Sequence, residues 1–190
     1  IAVAKKGIQG SKSELHYHIS IKSIPACQVL SLRRTVPDYY SEGGLWKEIS
    51  AFAGKEGIEI SGDTFTIYHD TEYRDQDVDM ELCVPVKKAG ESRGPFCFRM
   101  TEAVPAMAST MVYGGFFQNI KEAYLAFARW LQTNSSYQMS ALVRQIVHRG
   151  PWNENDPAKY LTELQIPVKN VQKENRMEDA DGQSGNHKRT

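Results

Sequence analysis

The chain reads as an α+β domain. Two pseudo-symmetric strand-helix-strand-strand repeats are predicted to form one antiparallel sheet system, with helices on one face and a ligand cleft between the repeats. The first observation behind this is that the landmarks occur twice. Ile24-Pro25-Ala26 returns as Val104-Pro105-Ala106, and Ile67-Tyr68-His69 as Ile146-Val147-His148. Glu81-Leu82-Cys83-Val84-Pro85-Val86 returns as Glu163-Leu164-Gln165-Ile166-Pro167-Val168. The separations are 80, 79 and 82 residues, so order and register survive across the whole block. The second observation is periodicity: each copy carries one segment of helical period flanked by segments that alternate with period two. A duplicated unit buries its surface against its copy, and the seam is where a ligand is expected.

The elements follow in order. His18-Ile19-Ser20-Ile21-Lys22 alternates as a half-buried strand does, and residues 27–34 form a second strand with Leu30 and Leu32 on one face and Val29, Ser31 and Arg33 on the other. Residues 38–44 are a loop into helix one, where Leu45, Ile49, Phe52 and Ala53 share a face and Gly57 is the stop. Trp46 and Phe127, each inside a helix, are assigned to the core. Residues 64–70 and 78–86 close the first half around a charged turn at 71–77. In the second half, 107–113 is a strand broken by Gly114-Gly115, and Asn119 with Glu122 has capping-box spacing for helix two. Residues 142–148 and 160–168 finish the sheet, and the proline of each closing strand is expected at a strand end, where no donor is needed.

At 190 residues the chain suits one full-sized domain. Residues 1–14 read as a leader or linker, 15–169 as the folded part (repeats at about 15–90 and 95–169), and 170–190 as a disordered polar tail. Formal net charge is zero, so no basic stripe points to direct nucleic-acid binding. Cys27, Cys83 and Cys97 lack metal or disulfide spacing and are expected as reduced, small hydrophobes. No apolar run reaches membrane-spanning length and no signal stretch opens the chain, which predicts a cytoplasmic protein. The start at Ile1, without Met, is expected of a fragment and leaves room upstream for a tethered DNA-binding domain.

Alternation places Glu163 and Gln165 on one face of the last strand, with Leu164 and Ile166 packing under the helices. Glu81 and Cys83 are their counterparts. A carboxylate inside an apolar strand is costly to bury unpaired, and two equivalent ones predict a site. Tyr68, Met111, Tyr113, Phe117 and Trp152, with Phe116 and Tyr160 nearby, are expected to wall it. His16 and His18 are read as an exposed pair, and His69 and His148 as structural equivalents. The run 72–77 lacks the glycine and terminal glutamate of a calcium loop. No metal and no cofactor is implied.

The ordered set Ile-Pro-Ala, Arg-Arg-Thr-Val-Pro, Met-Glu-Leu-Cys-Val-Pro-Val, Met-Val-Tyr-Gly-Gly-Phe-Phe and Thr-Glu-Leu-Gln-Ile-Pro-Val resembles the GyrI-like small-molecule-binding domain. That module is the effector-binding part of AraC- and MerR-type bacterial transcription regulators, including multidrug sensors. The resemblance spans about 15–169. It implies a cleft between the repeats where an acidic residue of the last strand, here Glu163 with Glu81 as counterpart, meets cationic aromatic ligands. The ligand-binding set so implied is Glu163, Glu81, Tyr68, Tyr113, Phe117, Trp152 and Met111. Relatives with hydrolytic activity carry a tyrosine where this chain has Val147, which argues against an assisted hydrolysis. The alternatives are a hydrolase of reactive small molecules, with Glu163 as base, and a protein-interaction module like the gyrase inhibitor.

Overall fold

The computed structural model describes residues 17–70, 74–114, 117–151 and 153–172. In chain order these form β1 (Ser20–Ile24), β2 (Gln28–Val36), α1 (Glu42–Lys55), β3 (Phe65–Tyr68), β4 (Val78–Pro85), β5 (Phe96–Met100), β6 (Val104–Tyr113), α2 (Phe117–Thr133), β7 (Tyr137–Met139), β8 (Arg144–Arg149) and β9 (Leu161–Asn170). The strands form one sheet in the order β1-β6-β9-β8-β3-β4-β2-β5, every pairing antiparallel, with β7 added to the far end of β9. The order is mirrored about β3 and β8, which meet at Thr66↔Gln145 and Ile67↔Arg144. Inside the edge strands, each half thus contributes its first strand (β2 or β6), its last (β4 or β9) and then the one before the last (β3 or β8), counted from the outside in.

Both helices lie on one face. Leu32, Leu82, Thr66, Gln145 and Leu164 are successive cross-strand partners, so their side chains point the same way. Leu45, Ile49 and Ala53 of α1 pack with Leu30, Leu32, Met80 and Leu82. Ala123 and Phe127 of α2 pack with Ala108, Val112, Leu164 and Ile166. The apolar stripes predicted from helical spacing are these two contacts. Gly57 ends α1 with φ 62°, a conformation that glycine adopts without a Cβ penalty.

Five expectations are corrected. β5 and β7 were absent from the sequence reading; Arg99 and Met100 follow two aromatics and a cysteine without clean alternation. The two outermost strands are also exchanged. β1, which precedes the first half, pairs with β6 of the second, and β5, which precedes the second half, pairs with β2 of the first. α2 begins at Phe117, so Asn119 lies in its first turn, where its amide donates to the Tyr113 carbonyl (2.7 Å) rather than capping the helix. Pro85 does end β4, but Pro167 lies inside β9, between the stretch paired with β8 (161–165) and the stretch paired with β7 (168–170). The tail expected from residue 170 overlaps the sheet, because Asn170 pairs with Tyr137; residues 1–16 and 173–190 lie outside the described residues. Among the described residues no helix is long and apolar enough to cross a membrane.

Candidate functional site

Three groups of side chains concentrate the polar chemistry. Two lie on the helix-free face, one per half, and follow from the strand exchange. Glu163 is 3 % exposed, and its carboxylate accepts bonds from Lys22 Nζ (2.5 Å), Ser109 Oγ (2.5 Å) and Gln165 Nε2 (2.9 Å), with His148 Nε2 at 3.0 Å. Glu81, 5 % exposed, is met by Arg99 Nε (2.7 Å) and His69 Nε2 (3.0 Å). In each group the cation comes from the exchanged edge strand, Lys22 on β1 and Arg99 on β5. The histidine stands in the same place, 79 residues apart, which accounts for the repeat of His69 as His148.

Burial alone would raise the Glu163 carboxyl, but the bonds from Gln165, Lys22, Ser109 and His148 outweigh it and hold the group at about 2. At Glu81 burial also pushes upward and is overcome by Arg99 and His69, so its carboxyl too lies below the ordinary value. Both charges are therefore compensated from within the chain. A hollow of about 330 Å³ opens beside the Glu163 group, between β1 and β6, with Lys22, Ser109, Met111 and Tyr113 among its lining. Met111 stands directly across from Glu163, so the structure gathers three of the expected site residues here. The hollow lies at the outer edge of the second half, over β1, and not at the β3–β8 seam. Glu163 itself does not line it.

The third group lies on the helix face at the seam, and the sequence reading passed over it. Glu42, the first residue of α1, accepts from Trp46 Nε1 (3.0 Å) and Thr66 Oγ1 (2.6 Å) through one oxygen and from the Tyr68 hydroxyl (3.2 Å) through the other. Thr66 is paired across the seam with Gln145, whose amide meets the Tyr124 hydroxyl of α2. The Tyr39 and Tyr68 rings are 5.8 Å apart. The two halves thus meet in a cluster of Tyr39, Glu42, Trp46, Tyr68, Tyr124 and Gln145. Burial, then the Glu42 charge, pushes the Tyr68 hydroxyl well above its ordinary value, and burial pushes Tyr124 up to about 12. Among the described residues no lysine, arginine or histidine pairs with Glu42, in contrast with Glu81 and Glu163.

The expected site residues are therefore divided. Glu163, Met111 and Tyr113 come together on the helix-free face, and Glu81 lies on that face in the other half. Tyr68 points the opposite way, to Glu42. Phe117 is the first residue of α2, and of its side chain nothing is described; Trp152 and Phe116 lie outside the described residues. Trp46, assigned to the core, does touch the first core cluster, but its indole N–H is turned to Glu42. One signal for Glu42 was present: aligning the buried stripes of the helices pairs Glu42 with Ile120, an acid in one copy against an apolar residue in the other.

The family model for the GyrI-like small molecule binding domain matches residues 17–169. Among solved structures, the EcmrR C-terminal domain is 31% identical over 82% of this chain and 99% of that one, with TM-score 0.75. EcmrR in its DNA complex in EcmrR-RPo is 31% identical with TM-score 0.76; there the match covers 82% of this chain but 58% of that one, so this chain spans little over half of the longer protein. SAV2435 bound to tetraphenylphosphonium shares the fold at 10% identity over 80% of this chain and 94% of that one, with TM-score 0.52. No curated protein sequence matches. The mirrored sheet, the two helices on one face and a family match over nearly all of the described chain agree: this protein belongs to the GyrI-like small-molecule-binding family.

Proposed function

We propose that this chain is the effector-binding domain of a transcription regulator and that it takes lipophilic, aromatic cations at the β3–β8 seam. The observation that carries the reading is Glu42, a half-buried carboxylate among aromatic side chains with no cation paired to it among the described residues. A small hydrated cation would lose too much solvation to enter such a place. A cation whose charge is spread over aryl groups loses less. Each aromatic face can add about 0.5–2 kcal/mol, and burying about 150 Å² of aryl surface adds roughly 4 kcal/mol. Together these support affinities near micromolar without a demanding fit, as a sensor of many compounds requires. Charge selects the class of ligand and apolar contact supplies most of the affinity. The reading of a regulator rests on EcmrR, which has this domain and forms a DNA complex. The choice of phosphonium as probe follows SAV2435, which is bound to one.

A second location is favoured by one observation: the 330 Å³ hollow beside Lys22, Met111 and Tyr113. There a cation would have to compete with Lys22 for Glu163. Titrating tetraphenylphosphonium and neutral triphenylphosphine oxide against Glu42→Gln and Glu163→Gln separates the two. At the seam, Glu42→Gln weakens the phosphonium tenfold to a hundredfold, about 1.4–2.8 kcal/mol, and leaves the neutral compound within threefold, while Glu163→Gln changes neither much. The reverse pattern moves the site to the edge hollow. Equal losses for charged and neutral ligands would remove the electrostatic role altogether.

A further inference from the structure

The seam is symmetric in backbone and asymmetric in charge. Buried Leu45 and Ile49 of α1 have Ala123 and Phe127 as equivalents in α2, each 78 residues on, which sets the register of one helix against the other. The same step takes Trp46 to Tyr124 and Glu42 to Ile120. In the central strands a step of 79 takes Thr66 to Gln145, its direct partner across the seam, and Tyr68 to Val147. Half one therefore presents a carboxylate, an indole N–H and two hydroxyls that all converge on that carboxylate. At the matching places half two presents Ile120 and Val147, with the neutral Tyr124–Gln145 pair beside them. Arg144, next to Gln145 in the same strand, is on the opposite face, where its guanidinium lies over the Phe65 ring at 5.3 Å.

Resting on the reading of the seam as the effector site, we propose that it discriminates by charge number: it takes ligands with one delocalised positive charge, seated toward half one, and rejects those with a second positive charge toward Ile120 and Val147. A dication spanning the seam would meet one anion and bury its other charge against apolar side chains, an uncompensated desolvation. A monocation of the same size leaves a neutral aryl end there, which those side chains accommodate. Ile120 and Val147 thus act as specificity determinants by lacking charge, in the sense that an unpaired charge excludes the wrong ligand.

The test uses two ligands of matched size: a butane-linked bis(triphenylphosphonium), and its analogue in which one triphenylphosphonium is replaced by a neutral triphenylmethyl group. Both are titrated calorimetrically against the chain, against Glu42→Gln and against Ile120→Glu, with circular dichroism to verify folding. The wild-type chain is expected to bind the monocation at least tenfold more tightly than the dication. Ile120→Glu is expected to cut that ratio at least tenfold. Wild-type binding of the dication as tightly as the monocation overturns the proposal, whatever the fate of the Ile120 variant. If both ligands bind equally and both weaken in Glu42→Gln, the seam remains the effector site and only the charge selection fails. Should neither phosphonium bind the wild-type chain, the effector reading falls and this proposal with it.

Discussion

Replacing Glu163 by glutamine removes one negative charge from a place where four side chains converge on it. The carboxyl is held at about 2 against an ordinary 4.5. A depression of that size corresponds to about 3 kcal/mol of folding stability at neutral pH, at about 1.4 kcal/mol per pH unit. The sign follows from the direction of the depression. The contribution is complete above the unfolded-state value near 4.5 and is lost as pH falls toward 2. The glutamine variant should therefore be about 3 kcal/mol less stable at pH 7, with the gap about 1 kcal/mol smaller at pH 4 and about 2 kcal/mol smaller at pH 3. Lys22, Ser109 and Gln165 all donate to one oxygen, so the glutamine carbonyl takes that place and its N–H₂ turns to His148 Nε2, which leaves the direction of the pH trend unchanged. Urea unfolding of both proteins at the three pH values reads the difference directly. A gap below about 1 kcal/mol at pH 7, or one that stays constant to pH 3, would refute the account of Glu163 as a charge stabilised by its own cluster.

Thiol reactivity and backbone conformation give two further outcomes. Burial pushes the Cys83 thiol far up and Cys97 is exposed, so an aromatic disulfide reagent at pH 8 should modify Cys97 in the folded chain and reach Cys83 only in denaturant. Equal reaction of both in the native state would contradict the burial of β4. Gly57→Ala places a Cβ on a residue with φ 62° and nothing within 4 Å of it, so its cost is conformational only. About 1 kcal/mol is expected in chemical denaturation, and no change would show that the chain leaves α1 by another conformation.

Much of the fold is legible in the sequence because it depends on local period. Alternation in residues 80–84 and 163–166 assigns Met80, Leu82, Leu164 and Ile166 to the helix face and Glu81 and Glu163 to the other, and the structure has them so. Helical spacing likewise finds Leu45, Ile49 and Ala53. The repeat supplies the pairing of His69 with His148. The site was less legible. Period two reports which face a residue takes but not what lies across from it, so Glu81 and Glu163 looked like open carboxylates. Glu42 falls in the stretch 38–44 read as a loop, and only the structure makes it the first residue of α1, a place where the helix dipole favours an acid.

By itself, the sequence determined an α+β domain, the composition of both sheet faces and the presence of a glutamate on the helix-free side of each closing strand, since each depends on residues close together in the chain. Only the tertiary structure decided that β1 and β5 change halves, carrying Lys22 to Glu163 and Arg99 to Glu81. It alone brought α1 and α2 to the same seam, so that Glu42 and Tyr124 share one cluster with Gln145. The reason is electrostatic: whether a carboxylate is available to a ligand depends on which cations reach it through space, and those here lie 18 to 141 residues away in sequence.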